Sequence, residues 1–378
     1  MDFELTEDQK IIQQTMRNFA RNELATVADE LDQAEEFAWK NFERMVELGL
    51  TGMILPAEYG GSDLGELSLA IAIEEIATAC ASTADILDTH LILCALPIYH
   101  FGSDEQRKRF LPPLARGENI GSFGVTEPNA GSDIGSIKTK AIRGTDSYIL
   151  NGQKTFITNG EVSDIAVIFA GIPELMPRGM TAFIVEYGIS GFSKGKKFKK
   201  LGMHAATNCE YFFEDCRVPS TNLLGEEGKG MRIALSTLDH GRIGIAAQAL
   251  GISRAVLEKS VEYSKTRVQF GAPISKNQAI SFRLADMATE IEAGRFLVYH
   301  AAYLADNARS FSKNAAMAKL FASEVAMKVA TWGIQIFGGY GYMMEYPMQR
   351  FFRDAKLTEI YEGTSEVQRM VISRAVLE

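Results

Sequence analysis

The chain has 378 residues, 46% hydrophobic and 23% charged, with 39 Lys plus Arg against 48 Asp plus Glu and a formal net charge of -9. This is the composition of folded globular protein rather than disorder, and the length predicts two or three domains with room for a large core. An acidic surplus without a basic stripe argues against nucleic acid as the main partner. No apolar stretch is read as approaching the ~18 residues that span a bilayer, so no membrane span is expected. The amino terminus, MDFELTEDQK, is acidic and runs straight into helical pattern, which reads as neither signal nor transit peptide. Cys80, Cys94, Cys209 and Cys216 form no CxxC pair, so a disulfide framework is not expected and a reducing, cytoplasmic setting fits. His90, His100, His204, His240 and His300 are scattered without metal-ligand spacing, which argues against metal-dependent hydrolysis.

In chain order, apolar residues first recur at three- and four-residue steps from Glu4 to about Leu114. Ile11, Ile12, Met16 and Phe19 form one stripe, and Phe42, Met45, Val46 and Leu50 another. Pro112 and Pro113 are expected to close this helical region. From about Gly121 to Gly230, short β-branched and aromatic runs at 147–150, 155–158, 165–169 and 181–185 are separated by glycine-bearing turns. Asn151-Gly152 reads as a two-residue hairpin, since type I′ turns need positive φ at both central positions. A small β-sandwich or barrel follows. Helical period then returns, with long helices predicted over 239–264, 277–309 and 312–337, enough for a bundle that also offers faces for oligomer contact. The predicted domains are 1–118, 119–230 and 231–378.

Four segments carry candidate chemistry. Thr126-Glu127-Pro128-Asn129-Ala130-Gly131-Ser132-Asp133 is a tight irregular loop. Its free N–H groups and the Ser132 hydroxyl suit an anion such as pyrophosphate, although a polar surface turn has the same composition. In Phe156-Ile157-Thr158-Asn159-Gly160, residues 156 and 158 would share a strand face and set an aromatic surface beside a hydroxyl. An isoalloxazine ring needs that pairing, but so does any buried Phe beside an edge Thr. The glycines of Phe337-Gly338-Gly339-Tyr340-Gly341 follow a helix rather than a strand, so a dinucleotide fingerprint fails its context and close backbone approach is the better account. In Tyr361-Glu362-Gly363-Thr364-Ser365-Glu366, a carboxylate in a constrained loop suits a general base. The plainer alternative has Thr364 capping the last helix and Glu362 solvated.

TEPNAGSD, NGQKTFITNG, LDHGRIGIAAQALG, RVQFGAPISKNQAI, IFGGYGYMMEYPMQRFFRD and IYEGTSE occur in that order. Together they resemble the acyl-CoA dehydrogenase family over essentially the whole chain. The resemblance implies an α+β fold of three domains: an N-terminal helical domain, a middle β-barrel or sandwich domain, and a C-terminal four-helix bundle. It implies FAD as cofactor, an acyl-CoA thioester as substrate, and an electron-transferring flavoprotein as electron acceptor. By the same resemblance Phe123, Val125, Thr126, Gly131 and Ser132 contact the flavin and pyrophosphate, and Phe156 and Thr158 flank the ring. Arg267, Gln269, Phe270 and Gln278 match positions reaching the FAD of a neighbouring subunit. Gln335, Gly338 and Gly339 match its adenosine stretch, and Thr364 and Glu366 the pyrophosphate or adenine region. Sharing of this kind implies a homotetramer built as a dimer of dimers. Glu362 matches the family's base, which takes the α-proton as the β-hydride passes to flavin N5. Ser132, Asp239, Arg242, Tyr361 and Gly363 match the substrate side. For Arg242 an ion pair with Asp239, three residues earlier, is the alternative.

Two stretches depart from the family pattern. Residues 82–98, STADILDTHLILCALPI, line the acyl pocket in relatives but here hold Asp85 and Asp88. Either acid could face solvent or cap a helix. Alternatively Asp88 touches the acyl group, and the substrate is alicyclic, of the cyclohexane- or cyclohexene-carboxyl-CoA type in which some relatives use an acid here as a base. His204-Ala205-Ala206-Thr207 replaces a common Arg-Gly-Ser/Thr run. The five lysines of 194–200 read as a solvated strand face, with CoA phosphates as the alternative contact. Rival functions are an oxidase or reductase of the same family, or a scaffold that keeps the fold without chemistry.

Overall fold

The computed structural model describes residues 4–175 and 179–378. Helix α1 (Glu7–Phe19) opens with a capping box in which Thr6 accepts from the Gln9 N–H and the Gln9 carboxamide accepts from the Thr6 N–H. It continues through a π-helical turn, Ala20–Leu24, into α2 (Ala25–Ala34), followed by α3 (Trp39–Glu47) and α4 (Gly65–Ala77). Helix α4 is buried on nearly every side, so its acids must be paired. Glu74 meets Arg254 and Arg295, and Glu75 meets Arg17 and Arg254. Helix α5 (Ala81–Asp88) runs through a second π-helical segment, Thr89–Ala95, into α6 (Leu96–Phe101), and α7 (Asp104–Ala115) completes the region.

Two expectations are corrected here. Pro112 and Pro113 lie inside the last turns of α7 rather than beyond its end. The continuous helical run Ala81–Phe101 spans 21 residues and is long and apolar enough to cross a membrane, contrary to the sequence reading. Asp85, Asp88, His90 and His100 interrupt its apolar run in the sequence. In the fold Ala81–Ile98 is buried as a core helix, and only Tyr99, His100 and Phe101 reach toward the surface.

The middle region is a sheet of β1 (Gly121–Gly124), β2 (Lys140–Arg143), β3 (Ser147–Thr158), β4 (Ile165–Gly171), β5 (Met180–Glu186), β6 (Phe192–Lys194), β7 (Asn208–Pro219) and β8 (Leu223–Leu224). Their order is β6-β7-β3-β2-β4-β5-β8, with β1 parallel to β4. Strand β4 shows why two cores form. Ile165, Val167 and Phe169 point to the large helical core, while Ala166, Ile168 and Ala170 point to a separate β-core with Phe183, Tyr211 and Phe213. Asn151-Gly152 makes no hairpin. Both residues lie within β3, where the ladder to β7 shifts register between Leu150 and Gly152. A Cβ on Gly152 would come within 2.6 Å of Thr139, so the glycine serves close approach at a bulge.

The carboxy-terminal region comprises α8 (Gly230–Thr266), the two-strand ribbon β9 (Val268–Gln269) and β10 (Ala272–Pro273), α9 (Gln278–Asp306), α10 (Ser312–Phe337), α11 (Met348–Thr358) and α12 (Ser365–Leu377). Helix α8 begins earlier than predicted, since Ile233 and Ala234 are buried, and α9 is slightly shorter at both ends. Gly251 lets α8 lie against α4, because a Cβ there would sit 2.3 Å from the Glu74 carbonyl oxygen. The same close approach of α8 shapes the site.

Candidate active site

Glu362 lies in the connection between α11 and α12 with φ +52°, and Gly363 follows at +95°. A left-handed Glu costs about 1–2 kcal/mol and persists only where surroundings impose it. Here Gln368 Nε2 donates to the carbonyls of Glu362 at 3.2 Å and Gly363 at 2.8 Å, and Lys319 Nζ donates to the Gly363 carbonyl at 2.7 Å. Thr364 Oγ1 accepts from the Val367 N–H at 3.3 Å and caps α12. Capping and a constrained carboxylate, which the sequence left as alternatives, therefore coexist. The carboxyl is not solvated: Oε2 is buried without a hydrogen-bond partner. The Glu362 N–H also finds no acceptor among the described residues.

Two glycines of α8 make room for acids. A Cβ on Gly241 would fall 1.8 Å from Glu362 Oε2, and one on Gly244 would fall 1.7 Å from Asp88 Oδ1. Being three residues apart, they lie on one face of the helix. Asp88, at the junction of α5 and the π-helical segment, is 1% exposed, and neither of its oxygens has a donor. Solvent exposure and helix capping are thus excluded for it, and Asp85 is likewise buried. Burial first, and the neighbouring Glu362 second, push the Asp88 carboxyl well above the usual carboxylate range. Glu362 is pushed up to about 7, chiefly by burial. Two ionised carboxylates this close in a buried site repel, which favours the protonated form of Asp88 beside Glu362.

Arg242 is 3% exposed and pairs with Asp239, which also accepts from Ser312 at 2.9 Å. Its ion pair and its place in the site go together: Arg242 lies close enough to Glu362 for their charges to interact, and its Nε has no partner. Lys319, 0% exposed, adds a second cation beside Glu362. Tyr361 donates to Gln248 below the base. Asp85 is pushed up to about 7 by burial, with Lys200 opposing.

On the β side, Phe123 and Val125 are buried, whereas Gly131 and Ser132 are exposed and Thr126 is intermediate. The loop is pinned by Glu127, which accepts from the Lys138 and Thr139 N–H groups at 2.6 and 3.0 Å and from the fully buried Lys154 at 2.7 Å. Phe156 takes φ +59° and leaves its ring 65% exposed, so it is not an ordinary core phenylalanine. Thr158 is half-buried, and its Oγ1 accepts from Asn208 Nδ2 at 2.9 Å.

Arg267, Gln269, Gly338 and Gly339 come together with Tyr263 and Phe337 around a groove of about 600 Å³. No atom lies within 4 Å of a Cβ placed on Gly338 or Gly339, so space there is open. Phe270 stands apart on the turn of the β9–β10 ribbon, fully exposed, and Gln278 and Gln335 are also exposed. Thr364 is half-buried and Glu366 exposed. The lysine run is mixed: Lys200 is half-buried and donates to the carbonyls of Met203 and Ala206 and to Asn208, contrary to a wholly solvated face. His204 bridges Asp32 and the Lys200 carbonyl.

The three parts of the chain match family models in turn: the acyl-CoA dehydrogenase N-terminal domain over 6–118, the middle domain over 122–216, and the C-terminal domain over 228–377. The chain belongs to the acyl-CoA dehydrogenase family. It is 49% identical over 374 residues to a short-chain specific acyl-CoA dehydrogenase of Clostridium acetobutylicum, covering 99% of both chains. It is also 49% identical to an acryloyl-CoA reductase (NADH) of Anaerotignum propionicum, covering 100% of this chain and 96% of that one. Among solved structures, butyryl-CoA dehydrogenase from Megasphaera elsdenii matches with TM-score 0.98, 48% identity and full coverage of both chains. A structure described as the electron transferring flavoprotein of Acidaminococcus fermentans matches with TM-score 0.98, 50% identity and full coverage of both chains.

As an acyl-CoA dehydrogenase this is an FAD enzyme, and its residues fit that cofactor. Phe156 is largely exposed with only Phe198 beside its ring, the Thr158 O–H has no acceptor among the described residues, and the Gly338–Gly339 backbone is open. The sequence reading missed Lys319, Asn208, Lys200 and the Gly241/Gly244 pair. A lone Lys in the apolar run AAMAKLFA and two glycines inside a helix were the available signals.

Proposed function

We propose that this acyl-CoA dehydrogenase uses Glu362 to take the α-proton of a short, branched or alicyclic acyl-CoA thioester. The observation that carries the reading is the Glu362 carboxyl itself, its Oε2 buried without a hydrogen-bond partner and seated over Gly241, with its pKa raised to about 7. FAD supplies the hydride acceptor on the other side of the substrate. A thioester α-proton is far too weakly acidic for a carboxylate in water, so developing enolate charge must be stabilised. The unused Glu362 N–H is a donor of the right kind, and Arg242 and Lys319 add positive charge beside the base. Phe156 and Thr158 flank the flavin, the 123–132 loop meets its pyrophosphate, and the Arg267–Gln269–Gly338–Gly339 groove receives its adenosine part. Asp239, Ser132, Tyr361 and Gly363 complete the substrate side.

Short-chain substrates are supported by the names of the relatives at 49% identity, and transfer to an electron-transferring flavoprotein by the flavoprotein structure of matching fold. The reductase relative leaves the physiological direction as a second reading. The fully exposed Phe270, with Phe282 on α9 more than half exposed, supports a homotetramer in which these faces meet a neighbouring subunit. Four buried free cysteines fit a cytoplasmic location.

Asp88 faces the substrate in this proposal. A buried carboxyl with no donor on either oxygen is costly unless it has a function, which favours an alicyclic thioester over a plain chain. Turnover of Asp88→Ala on butyryl and cyclohexane- or cyclohexene-carboxyl thioesters, with an artificial electron acceptor, tests this. Selective loss on the ring substrates supports it. Equal behaviour on both, or wild-type inactivity on rings, removes it.

A further inference from the structure

We propose that Asn208, locked by Lys200, is a positioning residue that fixes Thr158 as a hydrogen-bond donor toward the flavin. The inference rests on the proposed contact of Thr158 with that ring and adds what sets the direction of its proton.

The argument is one of donors and acceptors. An amide side chain can be turned end for end, so its orientation must come from its partners. Asn208 opens β7, opposite Thr158 on β3, and is 9% exposed. One end of its amide meets Lys200 Nζ, an ammonium that can only donate. The other end lies 3.4 Å from the Phe156 carbonyl oxygen, which can only accept. Both partners demand the same arrangement, oxygen toward Lys200 and nitrogen toward β3. That nitrogen then donates to Thr158 Oγ1 at 2.9 Å. A threonine hydroxyl that accepts on this side turns its own proton elsewhere, and no described residue accepts it. The proton is left for a ligand.

Lys200 is itself fixed, because it also donates to the carbonyls of Met203 and Ala206. The chain of polarity therefore runs from a half-buried ammonium through an amide to a hydroxyl beside the largely exposed Phe156 ring. A threonine free to rotate would offer either its proton or a lone pair. With one lone pair held by Asn208, this one keeps its proton turned away from the amide and available to a ligand, which restricts a rotor that would otherwise need ordering when cofactor binds.

The test substitutes Asn208→Asp. The carboxylate keeps the Lys200 contact and the side chain's shape but can only accept, so Thr158 must turn its proton inward to it. The readouts are the visible absorption spectrum and midpoint potential of the bound flavin, measured on the full-length holoenzyme alongside Thr158→Val and the double variant. We expect Asn208→Asp to shift both in the same direction as Thr158→Val, and the double variant to match Thr158→Val alone. Non-additivity of that kind separates action through the hydroxyl from a simple charge effect, which would add. Asn208→Leu, which removes the amide without adding charge, should give a smaller shift of the same sign and serves if the aspartate variant does not load FAD. If Thr158→Val moves the flavin signals while the Asn208 variants do not, or add to it fully, the positioning role is overturned and the site assignment stands. If Thr158→Val itself leaves spectrum and potential unchanged, the contact between Thr158 and the flavin is overturned, and this inference with it.

Discussion

The pH dependence of the base follows directly from its surroundings. A solvated glutamate, near 4.5, would be ~97% ionised at pH 6, whereas one at about 7 is ~10% ionised there and half ionised at pH 7. If Glu362 acts as the base in the free enzyme, kcat/KM must fall about five-fold from pH 7 to pH 6 and about fifty-fold from pH 7 to pH 5. Stability carries the same signature with a definite sign. The folded value lies above the unfolded one, so the native state holds an extra proton between pH 4.5 and about 7. The resulting stabilisation, on the order of 3 kcal/mol, is fully present below pH 4.5 and is lost as pH rises through 7. Glu362→Gln preserves shape and removes the titration. It should lower kcat by ~10²–10⁴-fold, the usual contribution of a general base, and flatten this part of the stability profile. Steady-state kinetics of the holoenzyme from pH 5 to 9, paired with thermal unfolding in the same buffers, measure both. A kcat/KM that is level from pH 5 to 7, or a glutamine variant with full activity, would refute the reasoning.

Gly241→Ala puts a methyl 1.8 Å from where Glu362 Oε2 now sits, so the carboxyl must swing aside, and kcat should drop at least ten-fold while FAD remains bound. Lys319→Met removes the donor to the Gly363 carbonyl and a cation beside the base; kcat should fall more than KM rises, and the kcat/KM profile should move to higher pH. Glu74→Ala removes the carboxylate that Arg254 and Arg295 share, leaving Arg254 with Glu75 and Arg295 with Glu292, and should cost about 1.5–3 kcal/mol, read as a drop in thermal midpoint. Thr364→Ala deletes the α12 cap, worth about 1 kcal/mol, and should loosen the base loop enough to show in kcat.

The helical–β–helical order was legible because it rests on periodicity, which local composition sets. Helix α10 has the predicted limits, since Ser312 opens it and Gly338 closes it. The failures were places where a local signal was overridden from a distance. Asn151-Gly152 has turn chemistry, yet the pairing of β3 with β7 continues past it and absorbs the extra residue as a bulge. Pro112 and Pro113 stay helical because the buried Phe110, Leu111 and Leu114 hold the final turns of α7 in place.

The sequence alone determined which segments are helix and which strand, and six ordered motifs were enough to recognise the family and point to Glu362. It could not say that Asp88, two hundred and more residues earlier, would meet that glutamate, nor that Lys200 and Asn208 would dictate the polarity of Thr158. Those facts are decided by which faces of α5, α8 and the β3–β7 ladder come together when the water between them is expelled. A carboxyl's proton affinity and a hydroxyl's direction depend on neighbours and burial, and neither exists until the chain has packed.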